Sequence, residues 1–317
     1  VLKKCLKMKA LLFPGQGSQV IGMGSEFYNN FSLVKKIFSE ADEKLGYKIS
    51  KIILEGPDAG LKLTENTQPA ILTVSFSIFS VLKKEFNFNF KEFKYFAGHS
   101  LGEYSALVSA NVLSFSDAIY LLNERGKAMQ KAVPVGQGGM IAVLNISTEE
   151  LNNFISKLKK KGVCEIANDN ADGQIIVSGN SETIKELQDL LKLNKKKSIL
   201  LPVSAPFHCS LMKEAAKKMH SKINSTKFVK GDFAIITNVT AKPEDDIEKI
   251  KNLLVEQIYS KVKWRESILF MINNGIKEFI EIGPGKVLNG LVKRINRDVN
   301  STSINTIDDI KMLINES

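Results

Sequence analysis

The chain is poor in the residue types that build metal centres, disulfide frameworks and membrane spans. Among 317 residues, three are Cys and three are His. Cys5, Cys164 and Cys209 match neither the spacing of zinc ligands nor that of a disulfide framework, which fits a reducing compartment, and we expect no bound metal. The longest apolar stretch, residues 68–81, is shorter than the roughly 20 residues that span a bilayer. We therefore expect a soluble protein without a membrane partner.

The charge is basic, yet no nucleic-acid-binding module is recognisable. Lys and Arg outnumber Asp and Glu by 44 to 34, so the net charge is +10. The Lys residues are scattered and no basic motif is interleaved with aromatic residues, so we expect no nucleic-acid partner. A bias towards Lys and Asn codons is the first explanation of this charge, and an acidic protein partner is the second.

The first seven residues form a basic segment that begins with Val rather than Met. The segment is typical of what is left after removal of a leader, or of an artificial start, and the sequence does not separate these. Two locations are therefore expected: the cytoplasm, or a plastid-like organelle after removal of a leader.

Apolar strands separated by helical patterns predict an α/β fold with a parallel sheet. Residues 137–205 differ, because their elements follow the order β-α-β-β-α-β of a ferredoxin-like unit. We predict a large domain formed by residues 1–136 and 206–317, with a small subdomain, residues 137–205, inserted in it. Strands are predicted at 10–13, 95–97, 140–145, 163–168, 174–178, 198–203, 233–239 and 277–282. Helices are predicted at 25–45, 69–86, 103–111, 117–131, 148–160, 181–193, 211–223, 246–259, 286–297 and 309–315.

The most informative stretch is Gly98-His99-Ser100-Leu101-Gly102, which has the form G-x-S-x-G of a nucleophile elbow. It follows an apolar run and precedes a potential helix, the context in which this pattern indicates a catalytic serine. Two residues without Cβ atoms allow a sharp turn that holds the serine in a strained conformation. Backbone N–H groups at the head of the helix can stabilise an anion. A Gly-rich turn with a capping serine is the alternative, and the motif alone favours neither.

A serine hydroxyl needs a base, and the three His residues are the usual candidates. His99 adjoins Ser100, and neighbours on a sharp turn point in different directions, so His99 is expected to line the pocket. His220 lies on the charged face of a predicted helix, as a solvated surface residue does. His208 lies in a loop ordered by Pro206, just before a helix. By elimination we favour His208 as the base over a loop His without a catalytic role.

Arginine is scarce, with only Arg125, Arg265, Arg294 and Arg297. Its planar fork binds carboxylate or phosphate groups in a bidentate way, so each Arg is a candidate for a task that Lys cannot perform. Arg125 lies one helix after the elbow, where a buried guanidinium would select a substrate with a free carboxylate. A surface ion pair with Glu124 or another acidic residue is the alternative, and the pattern leaves both open.

Five motifs in one order resemble those of the malonyl-CoA:acyl carrier protein transacylases. They are FPGQGSQ at 13–19, GHSLGEYSAL at 98–107, ERGKAMQ at 124–130, SAPFHCSLM at 204–212 and EIGPGKVL at 281–288. The resemblance extends from about residue 9 to residue 297, and five ordered motifs are far more specific than one G-x-S-x-G. It implies an α/β-hydrolase-like domain with a ferredoxin-like insertion, in agreement with the pattern of residues 137–205.

The resemblance also implies a reaction. Ser100 would take the malonyl group from coenzyme A as an ester, with His208 as base and then as acid to the departing thiol. The phosphopantetheine thiol of acyl carrier protein would attack second, in ping-pong order. No cofactor of the enzyme itself is implied, because the partner protein carries the phosphopantetheine. We expect a monomer.

The resemblance assigns roles to further residues. Gln257 would orient His208 through a carbonyl oxygen, which fixes the tautomer but stabilises the imidazolium less than a carboxylate does. The backbone N–H groups of Gln16 and Leu101 would form an oxyanion hole. Arg125 would pair with the malonyl carboxylate. The other residues expected in the substrate pocket are His99, Met129, Asn168 and Asn170.

Two other functions are open at this point. A serine esterase or thioesterase is opposed by residue order, because that class places its His late, after an acidic residue, whereas His208 precedes Gln257. A non-catalytic module that binds the carrier protein is opposed by the joint presence of Ser100, His208 and Arg125.

Overall fold

The structure is a computed structural model that describes residues 8–203 and 205–316. The basic segment at the start, Cys5 and Ser204 of the SAPFHCSLM motif lie outside these ranges. Within them, no helix has both the length and the apolar character needed to cross a membrane.

Strands and helices alternate along the described residues. The strands are β1 (Lys9–Phe13), β2 (Phe93–Gly98), β3 (Gly138–Leu144), β4 (Cys164–Ala171), β5 (Gln174–Asn180), β6 (Lys197–Leu200), β7 (Ala234–Ile236), β8 (Pro243–Glu244), β9 (Glu278–Ile282) and β10 (Asn300–Ile304). The helices are α1 (Ser25–Asn30), α2 (Ser32–Leu45), α3 (Ile49–Glu55), α4 (Asp58–Leu61), α5 (Thr64–Lys84), α6 (Gly102–Ser109), α7 (Phe115–Ala132), α8 (Thr148–Ile155), α9 (Ser181–Leu193), α10 (Lys213–Ser225), α11 (Ile247–Gln257), α12 (Trp264–Asn273), α13 (Val287–Ile295) and α14 (Ile307–Glu316). A short 3₁₀ helix, Ser210–Met212, precedes α10.

The larger sheet has the strand order β10-β9-β1-β2-β7-β8. Its neighbours are parallel except for the pair β7 and β8 at one edge. Alternate residues of β1 enter two separate cores, because successive side chains of a strand point to opposite faces. Leu11 and Phe13 pack into the core that includes α5 and α7, whereas Ala10 and Leu12 pack into the core that includes α12 and α13. Helices therefore cover both faces, as a parallel sheet requires.

The smaller sheet is antiparallel and has the order β4-β5-β3-β6. Its strands, with α8 and α9 between them, follow the predicted β-α-β-β-α-β order. Their apolar side chains form a core of their own around Ile141, Leu151 and Leu187. A parallel-sheet core with a separate antiparallel sheet confirms the predicted fold class, while the predicted domain limits stay predictions.

Several elements differ in extent from the sequence prediction. The predicted helix 25–45 is interrupted at Phe31, whose backbone is extended. Helix α7 begins earlier than predicted, because the side chain of Ser114 accepts a hydrogen bond from the N–H of Asp117 and caps it. Helix α8 ends at Ile155 rather than at 160. Helix α12 was missed, although its buried positions 264, 267, 268 and 271 have helical spacing.

Candidate active site

The G-x-S-x-G stretch connects the end of β2 to the start of α6. Ser100 has a φ of 54°, in the left-handed region that residues other than glycine rarely adopt. The flanking glycines are needed for close approach: a Cβ at Gly98 would lie 1.9 Å from the carbonyl of Gly102. A Cβ at Gly102 would lie 2.3 Å from the carbonyl oxygen of Phe13. The strained residue of this turn is therefore the serine itself, as the motif predicted.

His208 meets Ser100 from the loop after β6. Its Nε2 lies 2.8 Å from the Oγ of Ser100, and its Nδ1 lies 2.8 Å from the backbone oxygen of Gln257 at the end of α11. A carbonyl can only accept, so Nδ1 carries the proton and Nε2 is left to accept one from Ser100. Burial, followed by the positive charge of Arg125, lowers the pKa of His208 to about 3. The imidazole is thus neutral at neutral pH, as a general base must be.

Arg125 is buried beside the nucleophile and does not lie in an ion pair at the protein surface. Its Nη2 donates to the Oγ of Ser100 at 3.1 Å and to the Oε1 of Gln257 at 2.9 Å, and its Nη1 donates to the Oε1 of Gln68 at 2.6 Å. Its Nε has no hydrogen-bond partner among the described residues. Glu124 instead forms ion pairs with Lys127 and with Lys222, so the alternative of an Arg125–Glu124 pair is wrong. The guanidinium is available to an anion that enters the site.

A cavity of about 200 Å³ joins these groups. Nine of the predicted site residues line it: Gln16, His99, Ser100, Leu101, Arg125, Met129, Asn168, Asn170 and His208. Gln16 belongs to the turn after β1, and Leu101 precedes the first residue of α6, where backbone N–H groups lack partners within the helix. The two positions assigned to the oxyanion hole therefore face the same cavity as Ser100.

The smaller sheet contributes the asparagines of the cavity. Asn168 and Asn170 lie on β4, and the Oδ1 of Asn170 is 2.8 Å from the Nε2 of His99. The contact with Asn170 holds the ring of His99 at the wall of the cavity, and burial lowers the pKa of this residue. Backbone hydrogen bonds between β4 and Val262 join the smaller sheet to the rest of the site.

The sequence did not reveal every residue of the site. Gln68 on α5 bonds Arg125 and lies 3.9 Å from the sulfur of Met129, so Met129 supports the arginine's partner. Phe207 lies in the SAPFHCSLM motif, but four other apolar residues of the cavity carried no motif signal: Met140, Ile176, Leu201 and Val203. Their only signal was the alternation of apolar residues in strands, which does not distinguish a pocket wall from a core.

Two other candidates lie away from the chemistry. His220 is exposed on α10, which confirms its interpretation as a surface residue. Cys209 follows the base in sequence, but its sulfur points to the oxygen of Pro206 and the hydroxyl of Ser178. Burial raises the pKa of this thiol, which makes it a poor nucleophile.

Comparison with known proteins places the chain among acyltransferases. Residues 10–308 match the family described as acyl transferase domain. The chain is 44% identical over 311 residues to the malonyl CoA-acyl carrier protein transacylase of Bacillus subtilis, covering 96% of each protein. A protein of the same name from Staphylococcus aureus is 43% identical over 304 residues, covering 95% of this chain and 97% of the relative.

Solved structures agree with this placement. The acyl-carrier-protein-S-malonyltransferase of Bartonella henselae superposes with a TM-score of 0.95 at 40% identity, covering 98% of this chain and 99% of that one. A malonyl-transacylase solved in complex with a type II PKS acyl-carrier protein superposes with a TM-score of 0.94 at 36% identity, covering 98% of this chain and 100% of that one.

Proposed function

The chain belongs to the acyl transferase domain family, and we propose that it transfers a malonyl group from coenzyme A to the phosphopantetheine thiol of acyl carrier protein through an ester on Ser100. One observation carries this proposal. A nucleophile paired with a neutral base shares its cavity with a buried guanidinium, whose Nη2 lies 3.1 Å from the nucleophilic oxygen. The site thus combines acyl transfer with recognition of a carboxylate.

In the first half-reaction, the Oγ of Ser100 attacks the thioester carbonyl of malonyl-CoA while Nε2 of His208 takes the hydroxyl proton. The carbonyl oxygen becomes an oxyanion, which the backbone N–H groups of Gln16 and Leu101 stabilise. The carbon–sulfur bond then breaks, and the thiol of coenzyme A leaves with the proton from His208. The product is a malonyl ester on Ser100.

In the second half-reaction, the phosphopantetheine thiol of the carrier protein gives its proton to His208 and attacks the ester carbonyl. The carbon–oxygen bond breaks and Ser100 recovers its proton. The backbone carbonyl of Gln257 holds the imidazole in the same tautomer throughout. This carbonyl carries no full negative charge, so the imidazolium is short-lived, as a base that must return its proton requires.

Arg125 supplies the selectivity for malonyl. Its fork binds the free carboxylate of the acyl group, and because Arg125 is only 1% exposed, such charge-assisted hydrogen bonds are stronger there than in water. The carboxylate takes over hydrogen bonds that the guanidinium otherwise makes to neutral oxygens. The esterase and the non-catalytic module lose support, because neither needs a buried cation beside the serine.

The partners follow from the same chemistry. An acidic carrier protein suits the net charge of +10. The mechanism uses side chains and peptide N–H groups and requires no cofactor of the enzyme. A monomeric state and a location in the cytoplasm or in a plastid-like organelle stay predictions.

The proposal is tested by mixing the protein with malonyl-CoA, removing free ligand and recording the intact mass. We expect a malonyl adduct that holo-carrier protein discharges quickly and water discharges slowly. Ser100→Ala should abolish the adduct, because it removes the hydroxyl that lies 2.8 Å from the Nε2 of His208. An adduct that decays equally fast in buffer alone would favour a hydrolase, and retained labelling of Ser100→Ala would refute the nucleophile.

A further inference from the structure

A buried amide lies beneath the nucleophile turn and has no part in the chemistry described above. Asn238, between β7 and β8, is only 1% exposed. Its Oδ1 accepts a hydrogen bond from the backbone N–H of Ser100 at 2.7 Å, and its Nδ2 donates to the backbone oxygen of Gly98 at 2.7 Å. One side chain therefore holds the backbone on both sides of His99.

Glu103, on the first turn of α6, holds this amide in place. It is 1% exposed, and its Oε2 accepts from the backbone N–H of Asn238 at 2.9 Å and from the Nε2 of Gln257 at 2.8 Å. The same Nε2 of Gln257 donates to the backbone oxygen of Ser100 at 3.1 Å, and the Oε1 of Gln257 accepts from Arg125. The carboxyl group of Glu103 thus connects the turn, the end of α11 and the guanidinium.

The turn needs such support because Ser100 has an unfavourable backbone conformation. A non-glycine residue in the left-handed region is strained and persists only where the surroundings determine its conformation. The backbone N–H of Ser100 donates to Asn238, and its backbone oxygen accepts from Gln257. If those hydrogen bonds are lost, the turn can relax and carry the hydroxyl out of reach of His208.

We propose that Asn238 and Glu103 are positioning residues for acyl transfer, which keep the Oγ of Ser100 in line with His208 by holding the backbone of the strained turn. Neither side chain lines the cavity, so neither touches the acyl group. The inference rests on the proposed function, since acylation of Ser100 is the step that it explains.

The test measures the single-turnover rate of Ser100 acylation at saturating malonyl-CoA, together with the half-saturating concentration. For Asn238→Ala we expect the rate to fall about 100-fold, the usual effect of a small misplacement of a reacting group. The half-saturating concentration should stay within about threefold, because the contacts to substrate are unchanged. The isosteric Asn238→Asp keeps the acceptor for Ser100 but loses the donor to Gly98, and should lose about tenfold.

Glu103 offers a rescue by a conservative change. Both of its hydrogen bonds end on one oxygen, which the amide of Glu103→Gln can replace, so this variant should stay within about threefold of the unmodified protein. Glu103→Ala removes the acceptor and should lose about 100-fold. The matched control is Glu281→Gln: Glu281 is equally buried and accepts from the N–H groups of Leu288 and Asn289, but it lies outside the cavity.

Equal acylation rates in Asn238→Ala, Asn238→Asp, Glu103→Ala and the unmodified protein would overturn the inference. A loss of acylation rate in Glu281→Gln as large as that in Glu103→Ala would also overturn it, because it would indicate general destabilisation. If Asn238→Ala does not fold, Asn238→Asp and Glu103→Ala decide the question. If the unmodified protein takes no malonyl group, the proposed function fails by itself, and labelling of Ser100 by a fluorophosphonate then compares the same variants without an acyl donor.

Discussion

Arg125 is a buried cation whose hydrogen-bond partners are neutral oxygens. Burial lowers its pKa, while the nearby Tyr104 and Glu103 raise it, so the charge is retained at a cost. A buried charge is costly unless it is well paired, and among the described residues Arg125 forms no ion pair with a carboxylate. A substrate carboxylate supplies the missing partner, which explains how a binding contact can discriminate one acyl group from another.

Arg125→Ala should therefore lose the preference for malonyl over acetyl. Without the guanidinium, the malonyl carboxylate enters a buried site unpaired, and we expect kcat/KM for malonyl-CoA to fall about 100-fold or more, with a much smaller change for acetyl-CoA. The measurement is the ratio of kcat/KM for the two donors. Arg125→Lys keeps the charge but not the planar fork, so its ratio should lie between those of Arg125→Ala and the unmodified protein. An unchanged ratio in Arg125→Ala would remove Arg125 from the specificity role.

The nucleophile and the base of this site could be predicted from the sequence, whereas several of the residues that hold the site in place could not. Ser100 stands in a motif whose chemistry depends on adjacent residues, and His208 followed by elimination among three His residues. Asn238 and Gln68 reach the site only through the fold, across 138 and 57 positions of the chain from the atoms they bond. Gln257 was assigned from the resemblance as the residue that orients His208 through a carbonyl oxygen, and the oxygen beside His208 is the one of its backbone.

Helix α7 delivers Arg125 to the site because it approaches α5 very closely. A Cβ at Gly126 would lie 2.5 Å from the Cα of Glu65 and 2.7 Å from the carbonyl oxygen of Thr64. Both of these are backbone atoms, which cannot move aside as the end of a flexible side chain can. Arg125 directly precedes Gly126, and Gln68, which accepts a hydrogen bond from Arg125, lies one turn into α5. Close packing of the two helices therefore sets the position of the guanidinium.

Gly126→Ala should separate the two helices and disturb the Arg125–Gln68 hydrogen bond. We expect a loss of about 1–3 kcal/mol in unfolding free energy, as for other overpacked cores, together with a reduced preference for malonyl over acetyl. Gly290→Ala is the matched control, because Gly290 lies in the exposed part of α13 with no atom within 4 Å of an added Cβ. It should gain roughly 0.5–1 kcal/mol. Both variants are tested by denaturant unfolding and by the ratio of kcat/KM for malonyl-CoA and acetyl-CoA. Equal unfolding free energies of the two variants would contradict the packing argument.

Local pattern explains which elements could be predicted. Helix α9 has the predicted limits, 181–193, and its buried positions 183, 184, 187 and 191 have the helical spacing that a local pattern can show. The order of the strands has no such local signal: Leu11 pairs with Ile280 on one side and with Phe96 on the other. Such pairings join distant parts of the chain, and a hydrophobic period fixes only which face of a strand is buried.

The two sheets are joined beside the cavity by one of the four arginines. Arg265 on α12 donates to both carboxylate oxygens of Asp169 on β4, at 3.0 and 2.8 Å, and to Asp172 at 2.6 Å. Asp169 is 2% exposed and lies between Asn168 and Asn170, the asparagines that line the cavity. This use of both oxygens requires the planar fork of arginine, in agreement with the expectation that an Arg in this Lys-rich chain performs a task that Lys cannot.

Arg265→Lys should weaken this junction, because a single ammonium group cannot hold both oxygens of a buried carboxylate in the same geometry. We expect a loss of about 1–2 kcal/mol, below the 3–5 kcal/mol of a fully buried pair, since Arg265 itself is partly exposed. Looser anchoring of β4 also frees Asn170 from His99, so kcat/KM for malonyl-CoA should fall a few-fold. The control is Arg294→Lys at an exposed position whose side chain donates to the neutral side chain of Gln174, where we expect a change within about 0.5 kcal/mol. Thermal unfolding and kcat/KM measured on both variants give the answer: if the two substitutions have equal effects, the bidentate contact does not hold the smaller sheet against the site.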